Sequence, residues 1–171
     1  MEPQTGGRHG AVTFDALFRA HYEPMVRSLG LACGDREAAA DAVQDAFIRA
    51  YARWRRISRY DDPAGWVRRV ALNRVRDHFR RVERGTRAAQ RFAAQPEVET
   101  EAERHAPADA LGELMTTIEA LPRQQRIAIS LYYLEQLSVR EVADAMLLSE
   151  GAVKYHLHTA RAALRTRIES S

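Results

Sequence analysis

The stretch between residues 137 and 161 constrains the fold most, because it predicts two short helices joined by a tight turn. Ser138 and Glu141 have the spacing of a capping box, which satisfies two backbone N–H groups at a helix start. Apolar side chains then recur at the i, i+3, i+4 and i+7 positions of a short amphipathic helix: Val139, Val142, Ala143 and Met146. Leu147 breaks this pattern, and Ser149 is the predicted N-cap of a second helix.

The second helix of this pair has one apolar side and one polar side. The apolar side is predicted to be buried and consists of Val153, Leu157, Ala160 and Leu164. The polar side carries long hydrogen-bonding side chains, namely Lys154, Tyr155, His158 and Arg161. Two short helices with a polar face on the second match the helix-turn-helix plan, which presents that face to the major groove of DNA. A helical hairpin inside an ordinary bundle is the alternative interpretation.

Another predicted helix, from about Ala64 to Glu83, has a polar face of a single charge sign. Its apolar side consists of Val67, Ala71, Val75, Phe79 and Val82. Polar residues follow along another side at steps of four, three and four: Arg69, Asn73, Arg76 and Arg80. Three more arginines flank that face: Arg68, Arg74 and Arg81. Because like charges at these spacings destabilise an isolated helix, binding to a polyanion is the natural compensation. A solvated surface is the alternative.

Charge is segregated along the chain, although the formal net charge is only +3. Residues 49–91 contain fourteen arginines and four acidic residues, which gives +10, whereas residues 97–119 carry a charge of −6. A basic block beside an acidic one indicates a polyanion-binding surface and a solvated tether. Residues 85–108 have the small and charged composition of such a linker, which spans at most about 80 Å when fully extended.

The first helix is predicted to begin after Thr13 and to end near Gly30, with Pro24 kinking or dividing it. A second helix runs from Asp35 to about Trp54, and an arginine-rich loop follows at residues 55–63. One stripe of this second helix consists of Asp41, Gln44, Asp45 and Ile48. An isoleucine in an otherwise polar stripe indicates a partner surface, although the stripe could also be a solvated face.

The predicted fold class is therefore all-α, with two small helical domains joined by a flexible linker. Residues 1–10 are predicted to be a flexible tail, and residues 11–84 a bundle of three to four helices. After the linker at 85–108, residues 109–171 form a four-helix unit that contains the helix-turn-helix.

Other classes of function find little support in the chain. Cys33 is the only cysteine, so no internal disulfide can form, and a buried apolar role in the reducing cytoplasm is expected. The sequence has no export signal and no apolar run of about 18 residues, so we expect no membrane association. It lacks a Gly-rich phosphate loop, and His156 and His158 point in different directions on a helix. We therefore predict no enzymatic activity, no cofactor and no metal.

Three motifs in this order resemble the extracytoplasmic-function sigma factors, the smallest specificity subunits of bacterial RNA polymerase in the sigma-70 family. The first motif is ADAVQDAF at residues 40–47, and the second is WVRRVALN at 66–73, which continues to DHFRR at 77–81. The third combines Leu121-Pro122 and Leu137-Ser138 with GAVK at 151–154 and LHTAR at 157–161. The resemblance covers both predicted modules.

The resemblance implies a sigma factor that binds core RNA polymerase, directs it to particular promoters and helps to melt the DNA. The clamp of the largest polymerase subunit would contact Asp41, Gln44, Asp45 and Ile48, and the flap of the second-largest subunit is a further contact. Members of the family often have an anti-sigma factor as an additional partner.

Promoter DNA would contact both modules. The minus-ten element would meet the first module at Tyr60, Trp66, Arg69, Asn73, Arg76 and Arg80, with the loop at residues 57–62 receiving a flipped base. In the second module, Lys154, Tyr155 and His158 would read base edges of the minus-thirty-five element. Phosphates would bind Arg161 and the helix start at Ser149 and Glu150.

Some residues depart from the family pattern. Leu147 stands where the family usually has glycine, and a positive φ there would cost roughly 1 kcal/mol. Ala152 replaces a common threonine, and Thr159 replaces a common arginine, so a phosphate contact at Thr159 is not expected. A DNA-binding repressor or activator that works without polymerase is the rival interpretation, but such a protein usually needs a dimerisation element.

Overall fold

A computed structural model describes residues 12–92 and 110–169. Within these two ranges the chain forms eight α-helices and no strand. The first four are α1 (Phe14–Cys33), α2 (Arg36–Ala52), α3 (Trp54–Ile57) and α4 (Pro63–Phe92). The second four are α5 (Ala110–Glu119), α6 (Arg123–Leu134), α7 (Val139–Met146) and α8 (Glu150–Glu169). The all-α class predicted from the sequence is confirmed.

The first module is a bundle of α1, α2 and α4, with the short α3 at one end. Thr13 and Asp35 cap α1 and α2 by accepting backbone N–H groups three residues further on. Gly34 ends α1 in the left-handed conformation, with φ 71°, which glycine adopts at little cost. The apolar sides of the three long helices meet in a core that includes Met25, Leu29, Val43, Phe47, Val67 and Leu72.

Several boundaries differ from those predicted. The helix α1 continues through Pro24, so the predicted division does not occur. Trp54 begins α3 instead of ending α2, and this helical turn occupies the start of the predicted loop. The helix α4 extends nine residues beyond Glu83, so residues 85–92 of the predicted linker are helical, while residues 93–108 lie outside the described ranges.

The apolar side of α4 is also shorter than predicted. Val67, Ala71 and Val75 are buried, whereas Val82 is 51% exposed. The reason is geometric, because the last turns of α4 extend past the helices that cover its earlier turns.

The second module consists of α5 to α8. Pro122 precedes α6, where its fixed φ suits a helix start, and Leu121 is buried just before it. Buried side chains from α6, α7 and α8 form the core, including Ile127, Leu131, Val142, Met146, Val153 and Leu157. The apolar side predicted for α8 is thus confirmed.

The two modules pack against each other. The helix α1 lies against α6, and α4 lies against α7, so the buried side chains of both modules form one continuous apolar cluster. In the part of the chain that the structure describes, no helix is long and apolar enough to cross a membrane.

Candidate nucleic-acid interface

The helix-turn-helix forms as the local sequence predicts. The Ser138 hydroxyl accepts from the backbone N–H of Glu141, and a carboxylate oxygen of Glu141 accepts from the backbone N–H of Ser138 at 2.8 Å. The Ser138 hydroxyl also donates to this carboxylate at 2.7 Å, and this bond, together with the one from the Ser138 backbone N–H, holds the pKa of Glu141 below its ordinary value. The Ser149 hydroxyl accepts from the backbone N–H of Ala152 at 3.1 Å and thereby caps α8.

The turn between α7 and α8 contains a residue with positive φ. Leu147 is the C-cap residue that follows α7, with φ 56° and ψ 45°, and its N–H donates to the carbonyl oxygen of Ala143. The Leu147 side chain is 64% exposed, so its packing offsets little of the energetic cost of this backbone conformation. The strained turn anticipated at this position is confirmed.

The outward side of α8 presents most of the residues predicted to read DNA. Ser149, Glu150, Lys154 and His158 are exposed, and the Tyr155 side chain is 64% exposed. Thr159 donates its hydroxyl to the backbone oxygen of Tyr155 at 3.0 Å. The hydroxyl of Thr159 is therefore directed at its own helix.

Arg161 is exposed but already engaged with α6. Its Nε donates to the hydroxyl oxygen of Tyr133 at 2.9 Å, and its guanidinium lies 5.3 Å from the ring centre of Tyr132. This arrangement orients Arg161 and adds a cation–π contact. A phosphate contact would use the N–H groups that these partners leave available.

The polar face of α4 divides into an open part and a covered part. Arg69, Asn73 and Arg80 are exposed. Arg76 is half-buried, and its Nη2 donates to the carbonyl oxygen of Met146 at 3.0 Å. Its other terminal nitrogen approaches the Asn73 side-chain oxygen at 3.4 Å. Since Met146 ends α7, the second module covers this part of the face.

The loop predicted to receive a base leads directly into α4. Asp62 accepts the backbone N–H of Gly65 at 2.8 Å and so caps the helix, at a position where a β-carbon on Gly65 would clash with the Asp62 carboxylate. Tyr60 and Trp66 are half-buried against the core. A cleft of about 500 Å³ brings the loop together with α4 and α7; it is lined by Arg59, Tyr60, Asp61, Asp62, Gly65, Arg69, Glu141, Asp144 and Ala145.

Two of the arginines predicted to flank this face are neutralised by partners. Arg68 is buried, and its Nε is 2.7 Å from a carboxylate oxygen of Glu135 in the second module. Arg74 donates to Asp45 of α2 at 2.6 Å. The expectation that both arginines add to an open positive face is therefore wrong. The position of Arg68, midway between the buried Ala64 and Leu72 at helical spacing, is the sequence signal that indicates burial.

The stripe on α2 is exposed at Asp41, Gln44 and Ile48, and Ile48 is 60% exposed. Asp45 differs, because Arg74 and Arg49 hold its carboxylate at 2.6 and 3.1 Å. The hydrogen bond from Arg74 is the main cause that lowers the pKa of Asp45.

Sequence reasoning missed the aromatic groove next to this stripe. The groove has a volume of about 490 Å³ and is lined by Phe14, Phe18, Tyr22, Gln44, Phe47, Ile48 and Tyr51. Tyr51 is 69% exposed, and its ring meets that of Phe14 edge-on at 5.0 Å. The recurrence of aromatic residues at positions 14, 18 and 22 of one helix is the signal that could have indicated it.

These features define a class of DNA-binding protein with two helical domains, one of which carries a helix-turn-helix. The model of sigma-70 region 2 matches residues 17–85, and the model of sigma-70 region 4 matches residues 111–164. The chain belongs to the sigma-70 family, as a sigma factor of the extracytoplasmic-function group. It is a specificity factor for transcription initiation, and its partners are core RNA polymerase and promoter DNA.

Several curated relatives support this assignment. The chain is 31% identical to the RNA polymerase sigma-E factor of Streptomyces avermitilis, over 95% of this chain and 89% of the relative. It is also 31% identical to the ECF RNA polymerase sigma factor SigM of Mycobacterium tuberculosis, over 88% of this chain and 74% of that protein.

Solved structures share the fold. The sigma factor RpoE of Bartonella quintana, crystallised with the anti-sigma factor NepR, has a TM-score of 0.73 at 17% identity, over 91% of this chain and 96% of that one. CnrH in complex with the cytosolic domain of CnrY has a TM-score of 0.61 at 24% identity, over 92% and 88% of the two chains.

Proposed function

We propose that the two modules divide promoter recognition between them, with α8 reading the upstream element and α4 engaging the minus-ten element. Residues 11–84 would form the polymerase-binding and minus-ten module, and residues 109–171 the upstream-element module. The observation that supports this most directly is the polar side of α8, where Lys154, Tyr155 and His158 extend from a capped helix whose other side is buried.

On α8, side-chain amino groups and ring nitrogens contact base edges, and the N-terminus of the helix contacts phosphates. Lys154 is suited to guanine, whose major-groove edge offers two acceptors, and Tyr155 and His158 supply further hydrogen bonds and apolar contact. Ser149 and Glu150 stand at the N-terminus of α8, where backbone N–H groups that have no partner inside the helix donate to a phosphate oxygen.

The first module contributes contacts of a different kind. Arg69, Arg76 and Arg80 hold phosphates of the separating strands, and Asn73 hydrogen-bonds a base edge. Unstacking a base costs a few kcal/mol, which is recovered only if a pocket receives the base. Tyr60 and Trp66, which flank the turn into α4, are suited to form the walls of that pocket by stacking.

Polymerase binding is assigned to α2. The clamp of the largest subunit would contact an acidic and apolar surface that consists of Asp41, Gln44 and Ile48. Asp45 lies on the same surface and contributes to it without losing its ion pair with Arg74. The protein would act in the cytoplasm as a specificity subunit that catalyses no reaction itself. RpoE of Bartonella quintana was crystallised with the anti-sigma factor NepR, so an inhibitor of that kind is a further partner that we propose.

A promoter-variant transcription assay tests the role of α8. With core polymerase, Lys154→Ala and His158→Ala should each reduce discrimination among upstream-element variants by roughly 1–3 kcal/mol at the affected base pair. Arg19→Ala, which removes one exposed positive charge from α1, is the control and should leave the preference unchanged. An unaltered preference in both α8 variants would remove the reading role from these residues.

A further inference from the structure

The last part of α4 extends beyond the bundle of the first module. The match to sigma-70 region 2 ends at residue 85, whereas the helix continues to Phe92. Every residue from 81 to 87 is exposed, and even Val82 has half of its surface in solvent. We call residues 84–92 the arm. Because the other described helices do not cover its beginning, the arm has a surface that packing does not explain.

A row of arginines on α4 continues onto the arm. Arg84 and Arg87 follow Arg80 at steps of four and three, the spacing that keeps side chains on one face of a helix. The same steps connect Arg80 to the polar face that begins at Arg69. The second module partly covers this face at Arg76, but Arg80, Arg84 and Arg87 are all exposed. The accessible end of the row is therefore the end that reaches the arm.

Positive charge dominates this end of the helix. A shallow groove of about 590 Å³ runs along it, and its arginines are Arg74, Arg80, Arg81, Arg84 and Arg87. Arg74 is paired with Asp45, so four arginines remain against Asp77 and Glu83, which leaves a charge of +2. Like charges three and four residues apart destabilise a helix, and the exposed arm has little packing to offset this cost. An anion bound along the row would offset it.

The arm presents charge but no group that reads bases. Gly85 has no side chain, and the hydroxyl of Thr86 donates to the backbone oxygen of Val82 at 3.0 Å. Residues 81–87 include no aromatic ring and no side-chain amide. The Nε of Arg84 donates to the backbone oxygen of Arg80 at 3.0 Å, which orients the side chain and leaves its two terminal nitrogens to bind an anion. Such a surface suits phosphates, which position a protein on DNA without specifying sequence.

We propose that the arm binds the phosphate backbone of the double-stranded DNA between the two promoter elements, through Arg84 and Arg87. The inference rests on the proposed function, because it takes α4 as the helix that engages the minus-ten element. The loop proposed to receive a base precedes α4, whereas the arm leads towards the module that would read the upstream element. DNA at the arm therefore lies upstream of the minus-ten element, where the strands are still paired.

The spacing of the arginines fits one DNA strand. Arg80 and Arg87 are seven residues apart, which is about 10 Å along a helix axis. Phosphates of one strand follow each other about every 3.4 Å along the duplex, so Arg80, Arg84 and Arg87 match about three successive phosphates. Contacts of this kind raise the affinity for any sequence and make it depend on salt.

Binding of the holoenzyme to a forked promoter probe tests the proposal. The holoenzyme is assembled from core polymerase and the full-length chain, and the probe carries the upstream element and the spacer as duplex and the minus-ten element as a single non-template strand. Arg84→Gln/Arg87→Gln should weaken binding about tenfold at low salt. The slope of log affinity against log salt concentration should become shallower by about 2, because two phosphate contacts are lost.

Two variants separate this role from a general effect of charge or helix stability. Arg19→Gln/Arg27→Gln removes two exposed positive charges from α1 and should keep the wild-type affinity and slope. Arg84→Lys/Arg87→Lys retains the charges of the arm and should retain most of the slope, since lysine also binds phosphate as a point charge. Glutamine and lysine have helix propensities close to that of arginine, and circular dichroism verifies that helicity is kept.

Three results would overturn the proposal. The first is a slope in Arg84→Gln/Arg87→Gln equal to that of the α1 variant. The second is an equal loss of affinity for a probe that contains only the single-stranded minus-ten element, because the arm would then bind the melted strand. The third is weaker binding of the variant to core polymerase without DNA, which would identify a protein-binding surface. If Asn73→Ala leaves the minus-ten preference unchanged, the proposed role of α4 fails, while the salt slope with the forked probe still tests the arm.

Discussion

Leu147 has a backbone conformation that its own β-carbon opposes. A left-handed conformation costs a residue other than glycine roughly 1–2 kcal/mol, and this one closes the turn of the helix-turn-helix. The turn persists because a capped helix lies on each side of it and both helices bury their apolar sides. The conformation at residue 147 is thus imposed by its neighbours.

Replacing Leu147 with glycine should therefore stabilise the protein. We expect Leu147→Gly to raise the free energy of unfolding by about 0.5–1 kcal/mol, since relief of the strain exceeds the entropic cost of glycine. Arg140→Gly, at an exposed position in the first turn of α7, is the control and should lower it by less than about 1 kcal/mol. Urea denaturation measures both values, and a loss of stability in Leu147→Gly would contradict this account.

At the scale of helices, local sequence signals predicted well which helices form and where they begin. The caps at Thr13, Asp35, Ser138 and Ser149 lie where the residue type and spacing indicated. Such signals work because a cap depends on residues three positions apart.

The sequence failed where a distant residue decides the environment. Arg68 was assigned to an open face, but its partner lies 67 positions away along the chain, so no local pattern could reveal the pair. The half-covered state of Arg76 has the same origin, since it depends on α7 packing against α4. The sequence could thus predict that most of the candidate residues are exposed, but not that Arg68 is buried and Arg76 partly covered.

The exposed stripe of α2 provides a prediction at this scale. Changing Asp41, Gln44 and Ile48 together to alanine should weaken binding to core polymerase at least about tenfold, because the change removes both the charge and the apolar contact. Asp45 is left in place, since its bond to Arg74 would otherwise be lost as well.

Fluorescence anisotropy with labelled protein would measure this affinity, with circular dichroism to verify that helicity is retained. The double variant Asp15→Ala/Arg19→Ala removes an exposed pair on α1 without changing the net charge and is the control. Equal affinities for the two variants would place the clamp contact elsewhere.

At the scale of the whole molecule, docking gives the stability of the protein a dependence on pH. His21 of α1 faces the charges of Arg68, Asp62 and Glu135. Burial is the largest cause that lowers the pKa of His21, followed by the positive charge of Arg68, while Glu135 and Asp62 act in the opposite direction. The folded protein therefore holds His21 neutral at pH values where the unfolded chain already protonates it.

The sign of the effect follows from proton linkage. Below about pH 6.5, His21 binds a proton in the unfolded state but not in the folded state. The free energy of unfolding therefore falls as the pH drops towards the lowered pKa of His21. Unfolding free energies measured between pH 5.5 and 7.5 should show this slope, and His21→Asn should reduce it.

The continuation of α4 to Phe92 changes the geometry of the tether. Nine additional helical residues form a stiff arm of about 14 Å, so the connection from α4 to α5 begins away from the bundle. The chain between Phe92 and Ala110 bridges at most about 60 Å, less than the whole predicted linker would allow. The connection to the second module therefore starts from a fixed point and in a fixed direction, and the length of chain up to Ala110 sets an upper limit on how far the two modules can separate.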